Sequence, residues 1–308
     1  MTGALSIVRP GMFTTVQDLG RWGFQSRGVP VSGAMDTYSH RLANRLVGNG
    51  DNAATLEATL IGPQIAFETD TTFAVTGASF ALTLNAETVA MNRMTEAKAG
   101  SVLKFGERLC GARSYIAVSG GVDVPEVLGS RSTHVLTGMG GLEGRALRAG
   151  DRIRTVTGAR GKGRGAIAPC PSPLTPLTIP PGGARVRVIP GESTLFSHLA
   201  QKRFRISPRS DRMGYRLERA DRGSVSVGEL ISGAVTTGIV QIPPAGEPIL
   251  LMADHATTGG YAIGATVITA DLPVAGQLAP GDWIEFDACS FKAADHALRE
   301  QEAALGRV

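Results

Sequence analysis

A segment that ends an apolar strand carries the strongest catalytic candidate in the sequence. Leu250-Leu-Met-Ala-Asp-His-Ala-Thr-Thr-Gly-Gly-Tyr261 brings Asp254 out of a hydrophobic run and continues into hydroxyl-bearing residues and glycines. A carboxylate at a strand end suits general-base chemistry, and paired glycines let backbone amides approach a ligand. Neighbouring strand residues point to opposite faces, so no dyad between Asp254 and His255 is expected. We predict a site from Asp254 and the turn formed by Thr257, Thr258, Gly259 and Gly260; the alternative is an ordinary turn.

A second candidate is a short loop that is dense in charge. Ser207-Pro-Arg-Ser-Asp-Arg-Met-Gly-Tyr-Arg216 places Arg209, Ser210, Asp211 and Arg212 between a proline and a glycine. Two guanidinium groups could each hold a carboxylate or phosphate in bidentate fashion, and Asp211 could orient one of them. The alternative is a turn whose charges pair with one another. We favour anion binding because so many donors are concentrated in so few residues.

Polar residues near the N-terminus follow a path interrupted by glycine and proline. They are Gln17, Asp18, Arg21, Ser32 and Asp36. Asp36 is the predicted N-cap of a helix, and a helix N-terminus can face a ligand. The structural alternative is a simple pair between Asp18 and Arg21 and a cap without further function at Asp36. Both interpretations stay open at this point.

Several other chemistries have no motif in the sequence. It contains no phosphate-binding loop, dinucleotide fingerprint, Gly-x-Ser-x-Gly elbow, His-Glu-x-x-His pair or Met-Lys-Met biotin acceptor. Its three cysteines (Cys110, Cys170 and Cys289) lack metal-ligand spacing, so we expect reduced thiols and no metal site. The net charge of +4 is concentrated between residues 202 and 222, but few aromatic residues accompany it. Nucleic acid is therefore not an expected partner.

Composition predicts a mainly β protein with few peripheral helices. The 308 residues include 40 glycines and 17 prolines, which favour many short strands. Alternating apolar residues predict strands at Ile65–Phe67, Thr72–Thr76, Ala81–Leu84, Val102–Phe105, Ser114–Ser119, Arg185–Ile189, Val225–Val227, Ile239–Ile242, Ile249–Met252 and Ala265–Ile268. Helices are predicted at Met35–Val47, Thr194–Lys202 and Phe291–Ala304.

A dense cluster of helix and strand breakers divides the chain. Residues 158–184 are rich in glycine and proline and predict a linker between a β-rich unit at 1–157 and a β-barrel unit at 185–290, followed by a C-terminal helix at 291–308. Both units end alike, because Leu147-Arg-Ala-Gly-Asp-Arg-Ile-Arg154 matches Leu278-Ala-Pro-Gly-Asp-Trp-Ile-Glu285 at Leu, Gly, Asp and Ile. This match predicts two related units, each closed by a turn and a strand.

Five segments occur in an order that identifies a family. They are Thr15-Val-Gln-Asp-Leu-Gly-Arg21, Gly28-Val-Pro-Val-Ser-Gly-Ala-Met-Asp36, Gly120-Gly-Val-Asp-Val-Pro-Glu-Val-Leu-Gly-Ser-Arg-Ser132, Ser210-Asp-Arg-Met-Gly-Tyr-Arg-Leu217 and Asp254-His-Ala-Thr-Thr-Gly-Gly-Tyr261. Together they resemble the allophanate hydrolase subunit 2 family, which includes the C-type subunit of 5-oxoprolinase, Kip antagonist proteins and part of the carboxyltransferase domain of urea carboxylase. The resemblance runs from about residue 5 to residue 287.

The resemblance implies two β-barrel units of cyclophilin-like topology. It also implies two partners, a B-type (Kip inhibitor-like) protein and an A-type protein, with which the chain would hydrolyse 5-oxo-L-proline to L-glutamate at the expense of ATP bound largely outside this chain. Arg209–Met213 and Asp254–Tyr261 would line the site, which adds Met213 and Tyr261 to the candidates. Arg209 or Arg212 would hold the substrate, Asp254 would handle a proton, and the Thr257–Gly260 amides would stabilise oxyanion charge. Ala256 departs from the family, where Gln-Thr-Thr is more common.

The family leaves two alternatives open. One is a carboxyltransferase or allophanate hydrolase-type protein that acts on urea or another amide, with biotin supplied in trans. The other is a regulatory binding protein like the Kip antagonist. No run of apolar residues approaches the length of a membrane span, and Met1–Pro10 lacks the pattern of a secretory signal. We therefore expect a cytoplasmic protein with no membrane partner.

Overall fold

The chain folds into two compact units. The computed structural model describes residues 2–156, 176–219 and 231–306. Unit 1 comprises Met1–Arg21, Ser32–Ile179 and Leu305–Val308, and unit 2 comprises Trp22–Val31 and Pro180–Ala304. Most of the predicted linker at 158–184 lies outside the described residues, but its last two residues already belong to a strand. The predicted strand at Val225–Val227 also lies outside them.

Unit 1 is built on one barrel-like antiparallel sheet of ten strands. The strands are β1 (Thr2–Arg9), β2 (Phe13–Gln17), β3 (Thr55–Thr59), β4 (Gln64–Phe67), β5 (Thr71–Leu84), β6 (Glu87–Val89), β7 (Thr95–Ala97), β8 (Val102–Val118), β9 (Val122–Asp123) and β10 (Arg152–Val156). Their order is β2-β3-β8-β4-β1-β10-β9, and β5 pairs with β6, β7 and β8. The helix α1 (Thr37–Leu46) and a 3-10 turn at Val135–Thr137 belong to the same unit.

Alternating apolar side chains place the core of unit 1. In β4, Ile65 and Phe67 are buried while the residues next to them in the strand are partly exposed, as the period-2 pattern predicts. Phe67 stacks on Phe73 of β5 with ring centroids 5.0 Å apart. Leu5 and Ile7 of β1 join the same cluster. Burial of this one face fixes the register of the sheet.

Two long strands replace four that the sequence predicts. Thr72–Thr76 and Ala81–Leu84 are both parts of β5, and Val102–Phe105 and Ser114–Ser119 begin and end β8. The pairing of β5 with β8 shifts register repeatedly between Gly77 and Leu82. The breakers are accommodated as bulges rather than as chain reversals, because a bulge absorbs an extra residue without ending the ladder. The sequence prediction of four separate strands is wrong here.

Unit 2 contains a closed seven-stranded barrel. Its elements are β11 (Gly183–Pro190), α2 (Ser193–Phe196), β12 (Phe204–Ile206), β13 (Gly214–Glu218), β14 (Gly233–Ala234), β15 (Ile239–Ile242), β16 (Ile249–Leu251), β17 (Thr258–Gly259), β18 (Ala262–Val267), α3 (Leu272–Gly276), β19 (Trp283–Ala288) and α4 (Phe291–Ala304). The barrel order is β11-β18-β15-β16-β13-β12-β19, and a parallel β11–β19 pair closes it. The two-stranded ribbon β14–β17 stands apart from the barrel sheet. The prediction of a mainly β chain with two barrel-like sheets is confirmed.

The helices follow their predicted signals in two cases of three. Asp36 caps α1 by accepting a hydrogen bond from the Ser39 amide, and α4 has the predicted bounds. The predicted helix at Thr194–Lys202 is wrong, because α2 ends at Phe196. The residues after α2 form turns, and Ala200 then forms a parallel bridge with Phe286 of β19. Tertiary pairing overrides the weak helical preference of this segment.

The two matching sequence endings fold into the same turn. Gly150 and Gly281 both have positive φ, at 88° and 93°. The side chain of the following aspartate accepts a hydrogen bond from the amide three residues back, at 2.7 Å for Asp151 and 2.8 Å for Asp282. Each turn then leads into the last strand of its sheet, β10 or β19. Glycine is required because other residues rarely adopt this backbone conformation.

None of the helices in the described part of the chain has the length and apolarity that crossing a bilayer requires.

Candidate functional site

The N-terminal candidates belong to unit 1, and Asp18 is the centre of a closed hydrogen-bond network there. Asp18 is 2% exposed. Its Oδ1 accepts hydrogen bonds from the Ser130 hydroxyl at 2.7 Å, the Ser132 hydroxyl at 2.5 Å and the Gly20 amide at 2.8 Å. Its Oδ2 accepts one from the Arg131 amide at 2.6 Å. With four donors from the protein, this carboxylate anchors a loop and has little capacity left for a ligand.

The side chains around Asp18 also bind the protein's own backbone. Arg21 is 1% exposed and donates to the carbonyl of Ser132. Gln17 Nε2 and Ser32 Oγ each donate to the carbonyl of Thr133, both at 3.1 Å. These candidates therefore connect two loops of unit 1. The described contacts of Asp18 do not include the pair with Arg21 that was the structural alternative, but they also hold the protein's own loops together.

Asp36 and the residues beneath α1 form a second buried network in unit 1. The Asp36 amide donates to the Tyr115 hydroxyl at 2.7 Å, and that hydroxyl donates to Glu57 Oε2 at 2.7 Å. Burial and the Glu57 carboxylate raise the pKa of Tyr115. Burial lowers the pKa of His40 to about 4, so this imidazole is neutral at pH 7. Asp36 uses its side chain as the helix cap, as the structural alternative proposes.

The other candidates lie in unit 2, where Arg212 and Asp254 form a bidentate ion pair. Arg212 Nε is 2.8 Å from Asp254 Oδ2, and Arg212 Nη2 is 3.0 Å from Asp254 Oδ1. Each side chain is 9% exposed. The backbone joins them again, since the Asp254 amide donates to the Arg212 carbonyl at 2.8 Å. The charge-dense loop and the segment after β16 are therefore one assembly, although the sequence pattern presents them as two.

The side chains of the charge-dense loop make different contacts from those that the sequence predicts. Asp211 accepts hydrogen bonds from the amides of Met213 and Gly214, so it shapes the turn and does not orient a guanidinium. Ser210 Oγ accepts from the Arg216 amide. Arg209 has an exposed guanidinium, with its side chain 63% exposed and 3.5 Å from Glu218 and from Glu247. Arg209 faces solvent, while Arg212 is committed to Asp254.

The segment after Asp254 is not the simple turn that the sequence predicts. Thr258 and Gly259 form strand β17, which pairs with Gly233 and Ala234 of β14, and the Thr257 carbonyl accepts from the Val235 amide. Hydrogen bonding across the ribbon is what overrides the turn preference of the Thr-Thr-Gly-Gly sequence. Gly260 and Tyr261 follow, with Tyr261 48% exposed.

His255 is held by the backbone. Its Nδ1 lies 2.6 Å from the Ala256 carbonyl, which can only accept, so Nδ1 carries the proton. Burial lowers the pKa of this imidazole. The expectation that His255 forms no dyad with Asp254 agrees with this geometry. Among the described residues, no group of three or more His, Cys, Asp or Glu side chains has the arrangement of a metal site.

A cleft in unit 2 adjoins the predicted segment and contains residues that sequence reasoning missed. It has a volume of about 290 Å³, and Gly259 and Tyr261 line it together with Glu192. Behind Gly259 lies Gln241 of β15, which is 5% exposed. No sequence motif pointed to Glu192 or Gln241. The available signal was weak: Gln241 is the one polar residue in the apolar strand Ile-Val-Gln-Ile.

Similarity to known sequences and structures identifies the family of this chain. Residues 27–288 match the family described as "Carboxyltransferase domain, subdomain A and B". The chain belongs to this family. It is 41% identical to the C-type subunit of 5-oxoprolinase from Escherichia coli, over 97% of this chain and 95% of the relative. It is 36% identical to the corresponding 5-oxoprolinase protein of Haemophilus influenzae, over 96% and 94%.

Solved structures agree with this assignment. The urea amidolyase of K. lactis superposes with a TM-score of 0.88 at 33% identity, covering 98% of this chain. The chain spans about a fifth of that much longer protein, because the match covers 20% of it. The carboxyltransferase family resemblance drawn from the five sequence segments is therefore confirmed.

Proposed function

We propose that this chain is the C-type subunit of an ATP-dependent 5-oxoprolinase, which hydrolyses 5-oxo-L-proline to L-glutamate together with A-type and B-type partners. The observation that carries the proposal is the similarity to two proteins that are named as this component of 5-oxoprolinase, along nearly the whole of both chains. In the reaction, water adds to the lactam carbonyl carbon, the carbon–nitrogen bond breaks, and the nitrogen leaves as the amine of glutamate. The nitrogen must gain a proton as this bond breaks.

The geometry of the Arg212–Asp254 pair supports different roles for the two side chains in that reaction. Asp254 would accept a proton from the attacking water and pass it to the amide nitrogen as the carbon–nitrogen bond breaks, and Arg212 would orient its carboxylate. Arg212 is therefore a positioning residue in this proposal. Arg209 would hold the substrate carboxylate, or a phosphorylated or carboxylated intermediate, because its guanidinium faces solvent. Backbone amides within Thr257–Gly260 would stabilise the oxyanion.

The proposal places ATP and part of the chemistry in partner chains. The A-type protein would bind ATP, and the B-type (Kip inhibitor-like) protein would complete the composite site. The relatives' names support this, since a protein named as one lettered subunit implies that the enzyme has others. We assign the complex to the cytoplasm. Biotin has no role in this proposal.

Reconstitution tests the proposal directly. The chain is co-expressed with B-type and A-type partner chains, and glutamate release from 5-oxo-L-proline is measured with and without ATP. We expect release that requires all three chains and ATP. Asp254→Asn should abolish turnover and leave assembly intact, while Asp295→Asn on exposed α4 should change neither. Normal turnover by Asp254→Asn would remove Asp254 from the mechanism.

A second candidate function has its own support in the superposition on urea amidolyase. In that alternative the chain belongs to a carboxyltransferase that acts on urea or another amide, with biotin supplied in trans. ATP consumption that requires urea and a biotin-dependent carboxylase would favour it. A stable three-chain complex that releases no glutamate and shows no activity toward urea would favour the regulatory, Kip antagonist-like function.

A further inference from the structure

The cleft of unit 2 has a chemically mixed lining that suits a small ring. Its volume is about 290 Å³, close to the lower end for small-molecule sites. Leu195, Val235 and Ile263 supply apolar wall, and Glu192 and Tyr261 supply polar groups. Apolar walls with a few convergent polar groups are typical of sites that bind small neutral molecules.

A buried hydrogen-bond donor lies against the wall of this cleft. The Gln241 side-chain nitrogen Nε2 is buried and has no acceptor among the described residues. It fills the position where a β-carbon on residue 259 would stand, so Gly259 cannot carry a side chain without displacing the amide. Val235 Cγ1 adjoins the same position. The donor therefore lies directly behind two residues that line the cleft.

An unsatisfied buried donor is costly, and a ligand acceptor would remove that cost. The β14–β17 ribbon is held by the pairs Gly233 with Gly259 and Ala234 with Thr258, and by the hydrogen bond from the Val235 amide to the Thr257 carbonyl. A ligand in this cleft could reach Nε2 only after a shift of this ribbon, because Gly259 and Val235 lie between the cleft and the amide. The group that best satisfies an amide N–H is a carbonyl oxygen.

Glu192 supplies the complementary acceptor. This exposed carboxylate lines the cleft and stands at the N-cap position of α2. Its Oε1 accepts a hydrogen bond from the Thr194 hydroxyl at 3.0 Å, and among the described residues it makes no ion pair. Its second oxygen is thus available to accept from an N–H group of a ligand. An uncompensated carboxylate also repels anions, so the ligand group beside Glu192 is neutral and a carboxylate on the ring must point away from Glu192.

We propose that this cleft binds the lactam ring of the substrate, with Gln241 Nε2 donating to the ring carbonyl and Glu192 accepting from the ring N–H. The apolar walls would contact the ring methylenes. The assignment rests on the proposed function and specifies where the cyclic amide is recognised. Glu192 and Gln241 act in binding, and proton delivery during ring opening stays with Asp254.

Binding of model lactams to the full chain tests the proposal without any partner. The probes are pyrrolidin-2-one and its N-methyl derivative, and their affinities are measured by ligand-observed NMR. We expect pyrrolidin-2-one to bind at least about tenfold more tightly than the N-methyl compound, because a site built to pair an N–H rejects an analogue without it. Glu192→Ala should abolish this preference, while Glu300→Ala on α4 should retain it.

The Gln241 variants separate binding from folding. Gln241→Leu should weaken pyrrolidin-2-one binding about tenfold. It should leave the thermal unfolding temperature unchanged or higher, because it replaces an unsatisfied polar group with an apolar one of similar size. Gly259→Ala should weaken binding as well, since its methyl group would displace the amide. Gly50→Ala, which meets no neighbouring atom, is the matched control.

The assembled complex then distinguishes failure of the cleft from failure of the function. A KM for 5-oxo-L-proline raised about tenfold by Gln241→Leu and by Glu192→Ala, with kcat changed far less, would support the cleft. Unchanged KM values in an active complex would overturn the cleft and leave the oxoprolinase function standing. Selective lactam binding without any glutamate release would support lactam binding in the cleft and would contradict the oxoprolinase function. Absence of both lactam binding and any KM effect would also overturn the cleft.

Discussion

Two buried aspartates, one in each unit, satisfy their charge in opposite ways. Asp18 in unit 1 is surrounded by neutral donors: two serine hydroxyls and two backbone amides. Asp254 in unit 2 instead faces a guanidinium that binds both of its oxygens. Both residues were candidate site residues in the sequence, Asp254 as the strongest catalytic candidate and Asp18 with both interpretations open.

The difference teaches what buried carboxylates are used for. Four neutral donors, two of them backbone amides, satisfy the Asp18 carboxylate within the protein, which makes it a structural anchor between loops. Asp254 instead pairs with a charged side chain at the end of its strand, which is the kind of environment in which candidate functional carboxylates are found. Burial alone therefore does not distinguish these two carboxylates, whereas the identity of their donors does.

The largest predicted effect is the loss of the Asp18 anchor. Asp18→Ala would leave two buried hydroxyls and two partly buried amides without their acceptor, at a cost of roughly 1–3 kcal/mol for each buried group. We expect the free energy of unfolding of the full chain to fall by about 4 kcal/mol in urea denaturation. Asp123→Ala at a partly exposed position should cost less than about 0.5 kcal/mol. A small effect of Asp18→Ala would contradict its structural role.

Breaking the unit 2 pair should cost slightly less stability but all activity. Arg212→Met leaves the Asp254 carboxylate buried beside an apolar side chain, and we expect a loss of about 3 kcal/mol. The double variant Arg212→Met with Asp254→Asn should recover part of that loss, because no uncompensated charge remains. Urea denaturation of the three variants measures the coupling. Additive losses would mean that the two side chains do not act as a pair.

The buried imidazole of unit 1 predicts a pH dependence of stability. The folded pKa of His40 is about 4, below its ordinary value of 6.5, so the unfolded chain takes up the proton first. Stability should therefore fall as the pH decreases through 6.5 toward 4, by about 2 kcal/mol between pH 7 and pH 4.5. His40→Gln should flatten this part of the curve. Equal slopes in both proteins would show that other groups cause the dependence.

We expect the smallest effect on stability at the matching Gly-Asp turns before β10 and β19. Because the same turn occurs in both units, it allows the most direct comparison between them. Arg145 lowers the pKa of Asp151 below its usual value of 3.8, since its guanidinium binds the carboxylate. That stabilisation is present above pH 3.8 and is lost as the pH falls through the lower folded pKa. Among the described residues, Asp282 makes the same turn without a guanidinium.

We expect Asp151→Asn to cost about 1 kcal/mol at pH 7 and Asp282→Asn about half as much, measured by denaturation. The Asp151 variant should also lose part of the dependence of stability on pH below 3.8. Equal costs of the two substitutions would mean that Arg145 adds nothing to the shared turn.

Local signals in the sequence were sufficient for much of the fold. The N-cap at Asp36, the bounds of α4 and the alternation through Ile65 and Phe67 all depend on neighbours a few residues away, and each is confirmed. The Gly-Asp turns before β10 and β19 were recognised for the same reason, because positive φ selects glycine locally. The continuity of β5 and β8 was not, since bulges are decided by the partner strand.

The sequence by itself determined the family, the mainly β fold and the two segments that contain Arg212 and Asp254. It could not determine that these two residues, 42 positions apart, bind each other, nor that Asp18 is enclosed by Ser130 and Ser132. Hydrogen bonds and ion pairs between distant residues depend on chain geometry that no local pattern encodes. Only the tertiary structure decided which carboxylate is an anchor, which is paired with arginine, and where an amide nitrogen lies buried without an acceptor among the described residues.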